Sequence, residues 1–202
     1  MDWNARFADP GYVFGKTASQ FVVRSEPQLA RKSKVLCIAD GEGRNSVYLA
    51  QHGHHVDAND FASNAIDKAR ALAVETGVTV TYAQADLATW AWPDRRYDAV
   101  FAVFFQFAGP AFRDRIFAGL KQVVVPGGRI FLHGYTPKQL EYKTGGPPDA
   151  ERLYTGDLLR NSFADCDIET LAAYEAELDE GPGHSGRSAL IDLIARTGKS
   201  SP

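Results

Sequence analysis

Short apolar runs alternate with amphipathic stretches along most of this chain. Residues 34–39 (KVLCIA) are apolar and partly β-branched and stop at Asp40-Gly41, which predicts a buried strand. Residues 44–52 carry Val47 and Ala50 three apart and meet Gly53, the pattern of a short helix with a glycine stop. A second strand is expected at 55–59. Residues 63–75 place Ile66, Ala69, Leu72 and Ala73 on one face before Gly77 and predict a helix. The alternating VTVTYAQ of 78–84 predicts a third strand. The almost wholly apolar YDAVFAVFF of 97–105 predicts a central strand buried on both faces. Phe112, Ile116 and Leu120, four apart, predict a helix over 110–124, and residues 129–133 a fifth strand after the turn Pro126-Gly127-Gly128.

The tail departs from this rhythm. Residues 150–163 read as a helix. Residues 170–178 alternate Tyr174, Ala176 and Leu178 with Glu175 and Glu177, which fits a strand and also tolerates a helix. SALIDLIA (188–195) is another apolar run. Strand–helix alternation implies parallel strands joined by right-handed crossovers, hence a doubly wound α/β sheet. Two final strands with no helix between them imply an antiparallel strand near one edge. With 202 residues the chain is expected to form a single domain.

Composition narrows the partners. Lys and Arg number 22 against 25 Asp and Glu, a net charge of -3, which weighs against a mainly electrostatic nucleic-acid binder. No apolar run reaches the ~18 residues that a membrane span needs. The first residues lack a basic stretch leading into an apolar one, so a cytoplasmic protein is expected. Cys37 and Cys166 are far apart and no CxxC pair occurs, so neither a disulfide framework nor a zinc site is expected. His52, His54 and His55 fall between a helix and a strand on the edge opposite the ligand edge and read as surface residues.

Open α/β sheets bind ligands beyond the carboxyl ends of their strands. The first strand here ends in Ala39-Asp40-Gly41-Glu42-Gly43-Arg44-Asn45. Gly41 and Gly43 permit a tight turn and close approach of a ligand, and the helix that follows offers free N–H groups. The glycines alone are equally those of an ordinary strand–helix turn. Asp60 closes the second strand about twenty residues after Gly41, where a carboxylate can accept ribose hydroxyls. Asp86 follows the third strand and can accept from an adenine amino group, and Phe61 can lie along the ring. Singly each aspartate is an ordinary cap or loop charge; together, at the ends of consecutive strands, they describe an adenosine pocket. A dinucleotide site would want a third glycine at position 46, where this chain has Ser46.

These segments resemble the class I S-adenosylmethionine-dependent methyltransferases. KVLCIADGEGRNSVYLA is similar to their first motif, VDANDFASNAIDKA to the second and AQADL to the third, with YDAVFAVFF and VVVPGGRIFLHGY similar to the later ones. Within that class the chain most resembles the small bacterial tellurite-resistance-like and thiopurine-methyltransferase-like proteins, through Tyr12-Val13-Phe14-Gly15-Lys16, Tyr142-Lys143-Thr144-Gly145-Gly146-Pro147 and Glu180-Gly181-Pro182-Gly183-His184-Ser185-Gly186. The resemblance implies a Rossmann-like, mostly parallel seven-stranded sheet. It implies a lid and helix over residues 1–33, a cofactor-binding core over 34–135, and substrate-side loops with a hairpin over 136–202. S-adenosylmethionine is the implied methyl donor and S-adenosylhomocysteine the product.

The family's first motif usually has an acid where Cys37 stands and a glycine where Ala39 stands. Either the carboxylate that orders the glycine loop is missing, or Asp40 serves the methionine ammonium instead; the second reading is preferred. Residue by residue, the resemblance implies that Ala39, Asp40, Gly41 and Gly43 line the methionine, Asp60 the ribose, Phe61, Asp86 and Leu87 the adenine, and Phe104 the sulfonium. Trp3, Phe7, Tyr12, Phe14 and Gly15 are implied lid residues, aromatic faces being suited to a cation.

Methyl transfer from a sulfonium is an in-line displacement that mainly needs alignment and exclusion of water. A soft thiolate or selenolate needs no base, so no obligatory triad is expected. Around the acceptor the candidates are Gln106 and Phe107, His133 and Tyr135, Tyr142 and His184. Gln106, Tyr135 and His184 are singled out as catalytic, His184 as a base in a glycine-flanked loop, while His133 reads as strand packing and Arg44 as an anion guide or loop cap. The expected partner is a small-molecule acceptor, a thiol or a metalloid or chalcogen compound, with no nucleic acid, membrane or metal, and a monomer or weak homodimer. A protein or nucleic-acid methyltransferase, and a cofactor-binding protein without turnover, are the alternatives.

Overall fold

The computed structural model describes residues 2–94 and 96–198. After the short helices α1 (Trp3–Arg6) and α2 (Gln20–Ser25), a regular alternation begins. It runs β1 (Lys34–Ile38), α3 (Arg44–Gln51), β2 (His55–Asp60), α4 (Ser63–Thr76), β3 (Thr81–Gln84), β4 (Tyr97–Val103), α5 (Pro110–Val123) and β5 (Val124–Tyr135). The tail adds α6 (Gln139–Tyr142), α7 (Gly156–Ser162), β6 (Asp167–Asp179) and β7 (Ser185–Arg196). The seven strands lie in the order β3-β2-β1-β4-β5-β7-β6, with β7 antiparallel to β5. This is the mostly parallel, doubly wound sheet of the Rossmann-like methyltransferase fold. The order reverses direction at β1, which makes the carboxyl end of β1 the place where such a sheet takes a ligand. Among the described residues no helix is long and apolar enough to cross a membrane.

Contacts group the chain into two compact units where the sequence suggests one domain: residues up to Trp90 with Asp179–Ser185, and Ala91–Leu178 with the residues from Gly186 onward. In the first, β1, β2 and β3 pair in parallel, Lys34 opposite His55 and Asp60 opposite Gln84. Val47 of α3 and Leu72 and Ala73 of α4 form a buried cluster completed by Tyr12, Val78 and Tyr82. In the second, β4 pairs with β5 through a register shift between Tyr97 and Ala99. Phe105, Phe117, Tyr154 and Phe163 make an aromatic core there, with neighbouring rings 5.1–6.2 Å apart.

Several boundaries differ from the sequence reading, and four of the differences have a clear local reason. The third strand starts at Thr81, not Val78, because Gly77 caps α4 at φ +70° and the Val78 N–H still bonds Ala73. The fourth strand stops at Val103 because Phe104 turns to φ +54°. The fifth begins at Val124 and carries Pro126-Gly127-Gly128 as an irregularity within it. The expected helix over 150–163 is a 3-10 turn, an extended Leu153-Tyr154, and then α7 capped by the Thr155 side chain. Leu153 and Tyr154 are buried, and the Tyr154 N–H bonds the Tyr135 carbonyl, which holds the chain out of a continuous helix.

Candidate active site

The glycine loop after β1 is shaped by its backbone. Ala39, Gly41 and Gly43 all have positive φ, at 46°, 61° and 87°. Ala39 is a non-glycine residue in the left-handed region, a strained conformation at the position where the resembled family has glycine. Asn59 holds it there, its Oδ1 accepting the Ala39 N–H at 3.2 Å while its carbonyl accepts the Asp40 N–H at 2.9 Å. At Gly43 a Cβ would stand 2.7 Å from Ala69 Cβ and 2.9 Å from Ala69 Cα, so α4 leaves no room for a side chain. Gly43→Ala is therefore expected to destabilise the protein by ~1–3 kcal/mol through overpacking, read as a lowered Cm at unchanged m in urea unfolding.

Asp60, at the end of β2, is buried at 9% exposure. Its Oδ2 accepts the Gly41 N–H and its Oδ1 the Ala62 N–H, both at 2.9 Å. Burial raises its pKa, opposed by these two N–H groups and that of Phe61. Asp60 thus fixes the glycine loop and starts α4, and a carboxylate has further lone pairs for a ligand hydroxyl. Phe61 next to it is 59% exposed, a large apolar ring left open at the strand end. Asp40 is the unusual acid of the loop. Its Oδ2 is buried without a hydrogen-bond partner. Burial pushes its pKa up to about 7; Asp60 adds to the rise, while Ser46 and Arg44 oppose it. Beneath, the Cys37 thiol is pushed well up by burial and by Asp40. Asp86 is exposed, its Oδ1 accepting the Ala88 N–H at 2.8 Å, and Leu87 beside it is buried.

The three polar side chains of Gly41-Glu42-Gly43-Arg44-Asn45 hold the N-terminal segment. Glu42 Oε2 accepts the Phe14 N–H, Arg44 donates to the Phe14 carbonyl, and Asn45 Oδ1 accepts the Ser19 N–H. Arg44 is therefore engaged with protein, not free to guide an anion. Lys68 bridges Glu42 and the Gly11 carbonyl. Trp3, Phe7 and Phe14 run in succession, ring centroids 5.9 and 6.1 Å apart. Phe7 is buried, and its ring tip would be 3.8 Å from a Cβ at Gly41. These lid candidates are thus brought to the glycine loop. Tyr12 is not: its ring joins the cluster on α3 and α4, and its hydroxyl bonds the Lys68 carbonyl. Gly15 makes the turn after it at φ +69°.

His184 is buried against Phe14, ring centroids 4.5 Å apart, with Nδ1 3.4 Å from an Arg44 nitrogen. A guanidinium only donates, so Nδ1 is the acceptor and the neutral ring carries its proton on Nε2. That tautomer, beside a permanent cation, does not suit the general base expected from sequence.

In the second unit Gln106 and Tyr135 are bound to each other. Gln106 Oε1 accepts the Tyr135 N–H at 2.6 Å, and its Nε2 donates to the Tyr135 and Arg152 carbonyls. The amide is spent on clamping backbone, which replaces the catalytic role expected for Gln106. Tyr135, 1% exposed, packs with Leu153, Leu178 and Leu190 and lies 4.8 Å from Phe104. His133, placed around the acceptor but read from sequence as strand packing, has its Nδ1 2.6 Å from Asp192 Oδ1, while Tyr174 donates to the same oxygen at 3.2 Å. Phe104 stands edge-on to its ring at 4.6 Å. The carboxylate fixes the orientation of the imidazole ring. The signal was the pairing of β5 with β7, which puts His133 opposite Asp192. Tyr142 donates to Glu175 on the surface. Among the described residues no cluster of His, Cys, Asp or Glu is placed to hold a metal ion.

Comparison with known proteins bears on the fold. Residues 35–128 match a family model described as a methyltransferase domain. No curated protein matches the chain. Among solved structures, TehB from Haemophilus influenzae superposes with a TM-score of 0.72 at 20% identity over 89% of this chain and 62% of its own, so this chain spans about three fifths of TehB's length. A SAM-dependent methyltransferase from Methanosarcina mazei gives 0.72 at 19% identity over 90% of this chain and 99% of that one. A TehB-like SAM-dependent methyltransferase from Corynebacterium glutamicum gives 0.64 at 20% identity, covering 96% and 94%. The chain thus has the fold of the class I S-adenosylmethionine-dependent methyltransferases, and the matched domain covers a little under half of it.

Proposed function

We propose that this enzyme transfers the methyl group of S-adenosylmethionine to a small-molecule acceptor, a thiol or a metalloid or chalcogen compound. The observation that carries the cofactor assignment is the buried, unpartnered Oδ2 of Asp40. A buried acceptor without a donor is costly, and a cationic ligand at the end of β1 satisfies it. The cofactor's ammonium and sulfonium are such cations, and Gly41, Gly43, Asp60 and Phe61 surround the same loop with backbone, carboxylate and an open apolar face. When bound, the cofactor supplies a methyl carbon already activated by its sulfonium. The protein's part is to bind the nucleoside at Asp60 and Phe61, to set the methionine along the glycine loop, and to cover it with Trp3, Phe7 and Phe14.

The acceptor class is supported by the tellurite-resistance-like motifs and by the TehB and TehB-like structures, whose overlap with this chain is at the level of fold. The test is transfer of labelled methyl from S-adenosylmethionine to a panel of thiols, selenite, tellurite and phenols. A labelled small-molecule product together with S-adenosylhomocysteine is expected. Label found only in protein or RNA would overturn the acceptor class, and binding without any turnover would overturn the activity.

A further inference from the structure

We propose that Glu180 is a positioning residue of the cofactor site, the one that locks residues 14–20 onto the glycine loop; this rests on the cofactor reading above. Arg44 is the first residue of α3 and is buried at 6% exposure. A buried guanidinium must be paired, and at the positive end of a helix it is doubly unfavourable. Glu180, 4% exposed, supplies the charge: its Oε2 is 3.0 Å from Arg44, and its carbonyl accepts from the same side chain at 3.1 Å. Its other oxygen, Oε1, accepts the Gln20 N–H at 2.8 Å and the Ser19 hydroxyl at 3.1 Å. One carboxylate, more than 130 residues further along the sequence than either, therefore ties the start of α2 to the start of α3.

The backbone around it is built for the same contact. The Gly183 N–H donates to the Val13 carbonyl at 3.0 Å. Gly181 sits at φ +87°, and a Cβ there would come within 2.6 Å of the Gly15 nitrogen. A Cβ at Gly183 would run into the Phe14 ring. Glycines at both positions let the Glu180–His184 loop lie directly on Phe14-Gly15. Phe14 in turn is held by Glu42 and Arg44 of the glycine loop. Glu180 touches no reacting atom in this scheme. It acts through Arg44 and Phe14 to keep the aromatic cover and the loop in one arrangement.

The experiment uses the full chain and Glu180→Gln, with Glu169→Gln as a control that removes a partly exposed carboxylate paired with Arg129 and Arg196. Two quantities are read below the melting temperature of every variant: tryptic cleavage after Lys16, and the Kd for S-adenosylhomocysteine. Glu180→Gln is expected to speed cleavage after Lys16 and to raise Kd about tenfold, while Glu169→Gln alters neither. A merely structural Glu180 would lower Tm and leave both readouts at wild-type values, which overturns the proposal. Should Glu180→Gln not fold, Glu180→Asp, which keeps the charge and shortens the reach, is read in the same way. Wild-type failure to bind S-adenosylhomocysteine would instead sink the cofactor reading, and the cleavage readout would still decide whether Glu180 is the lock.

Discussion

Replacing Asp60 with alanine is expected to weaken S-adenosylhomocysteine binding about a hundredfold or more, equivalent to ~2.7 kcal/mol. Two losses combine. The ribose hydroxyls lose a charged acceptor, and hydrogen bonds to charged groups are worth ~1.5–3 kcal/mol. The glycine loop also loses the acceptor for its Gly41 N–H, and α4 loses the acceptor for Ala62. Asp60→Asn separates the two. Its amide oxygen can still accept one of these N–H groups, so it should retain more of the fold's stability than of the affinity. Isothermal titration calorimetry beside thermal unfolding reads both quantities. Affinity within threefold of wild type for Asp60→Ala would remove this residue from the nucleoside site.

What the sequence disclosed and what it hid divide along a physical line. The places of Gly41, Gly43 and Asp60 at consecutive strand ends were legible because the strand–helix rhythm already locates them. The first five strands and their helices were legible for the same reason: each is specified by residues within itself. The contacts of His184, Gln106 and Arg44 were not legible, because they are made with partners far away in sequence. A glycine-flanked histidine looks like a mobile base until Arg44 is found against its Nδ1. Gln106 looks like a polar group near the acceptor until both ends of its amide are found on backbone. His133 was read as packing, since nothing local to β5 announces that β7 brings Asp192 opposite it. The helix expected over 150–163 failed because periodicity does not register Leu153 and Tyr154 being pulled into the core.

Asp40 gives the second large effect, a pH-dependent affinity. Burial raises its pKa to about 7, with the charge of Asp60 adding to the rise and Ser46 and Arg44 acting against it. The folded protein therefore holds this proton over the range from about pH 4, where an unfolded aspartate titrates, up to about 7. Its contribution to stability is complete below about pH 4 and is lost as pH rises through the folded value. Cation binding has the opposite slope, because a cation beside Asp40 needs the ionised form. Affinity should rise up to tenfold per pH unit between pH 5 and 7, about a hundredfold in all, and level off above. Asp40→Asn should be flat over that range and sit at the low-pH limit of the wild type. The variant also separates Asp40 from every other group of the chain that could change charge in the same window. Titrations in two buffers of different ionisation heat should show a proton released on binding at pH 6 by the wild type alone. The ligand pair then locates the charge. S-adenosylmethionine and S-adenosylhomocysteine share the ammonium, and only the first has the sulfonium. Equal pH slopes for both place Asp40 at the ammonium. A slope confined to S-adenosylmethionine would move it to the sulfonium, and a flat wild-type profile for both would take Asp40 out of the site.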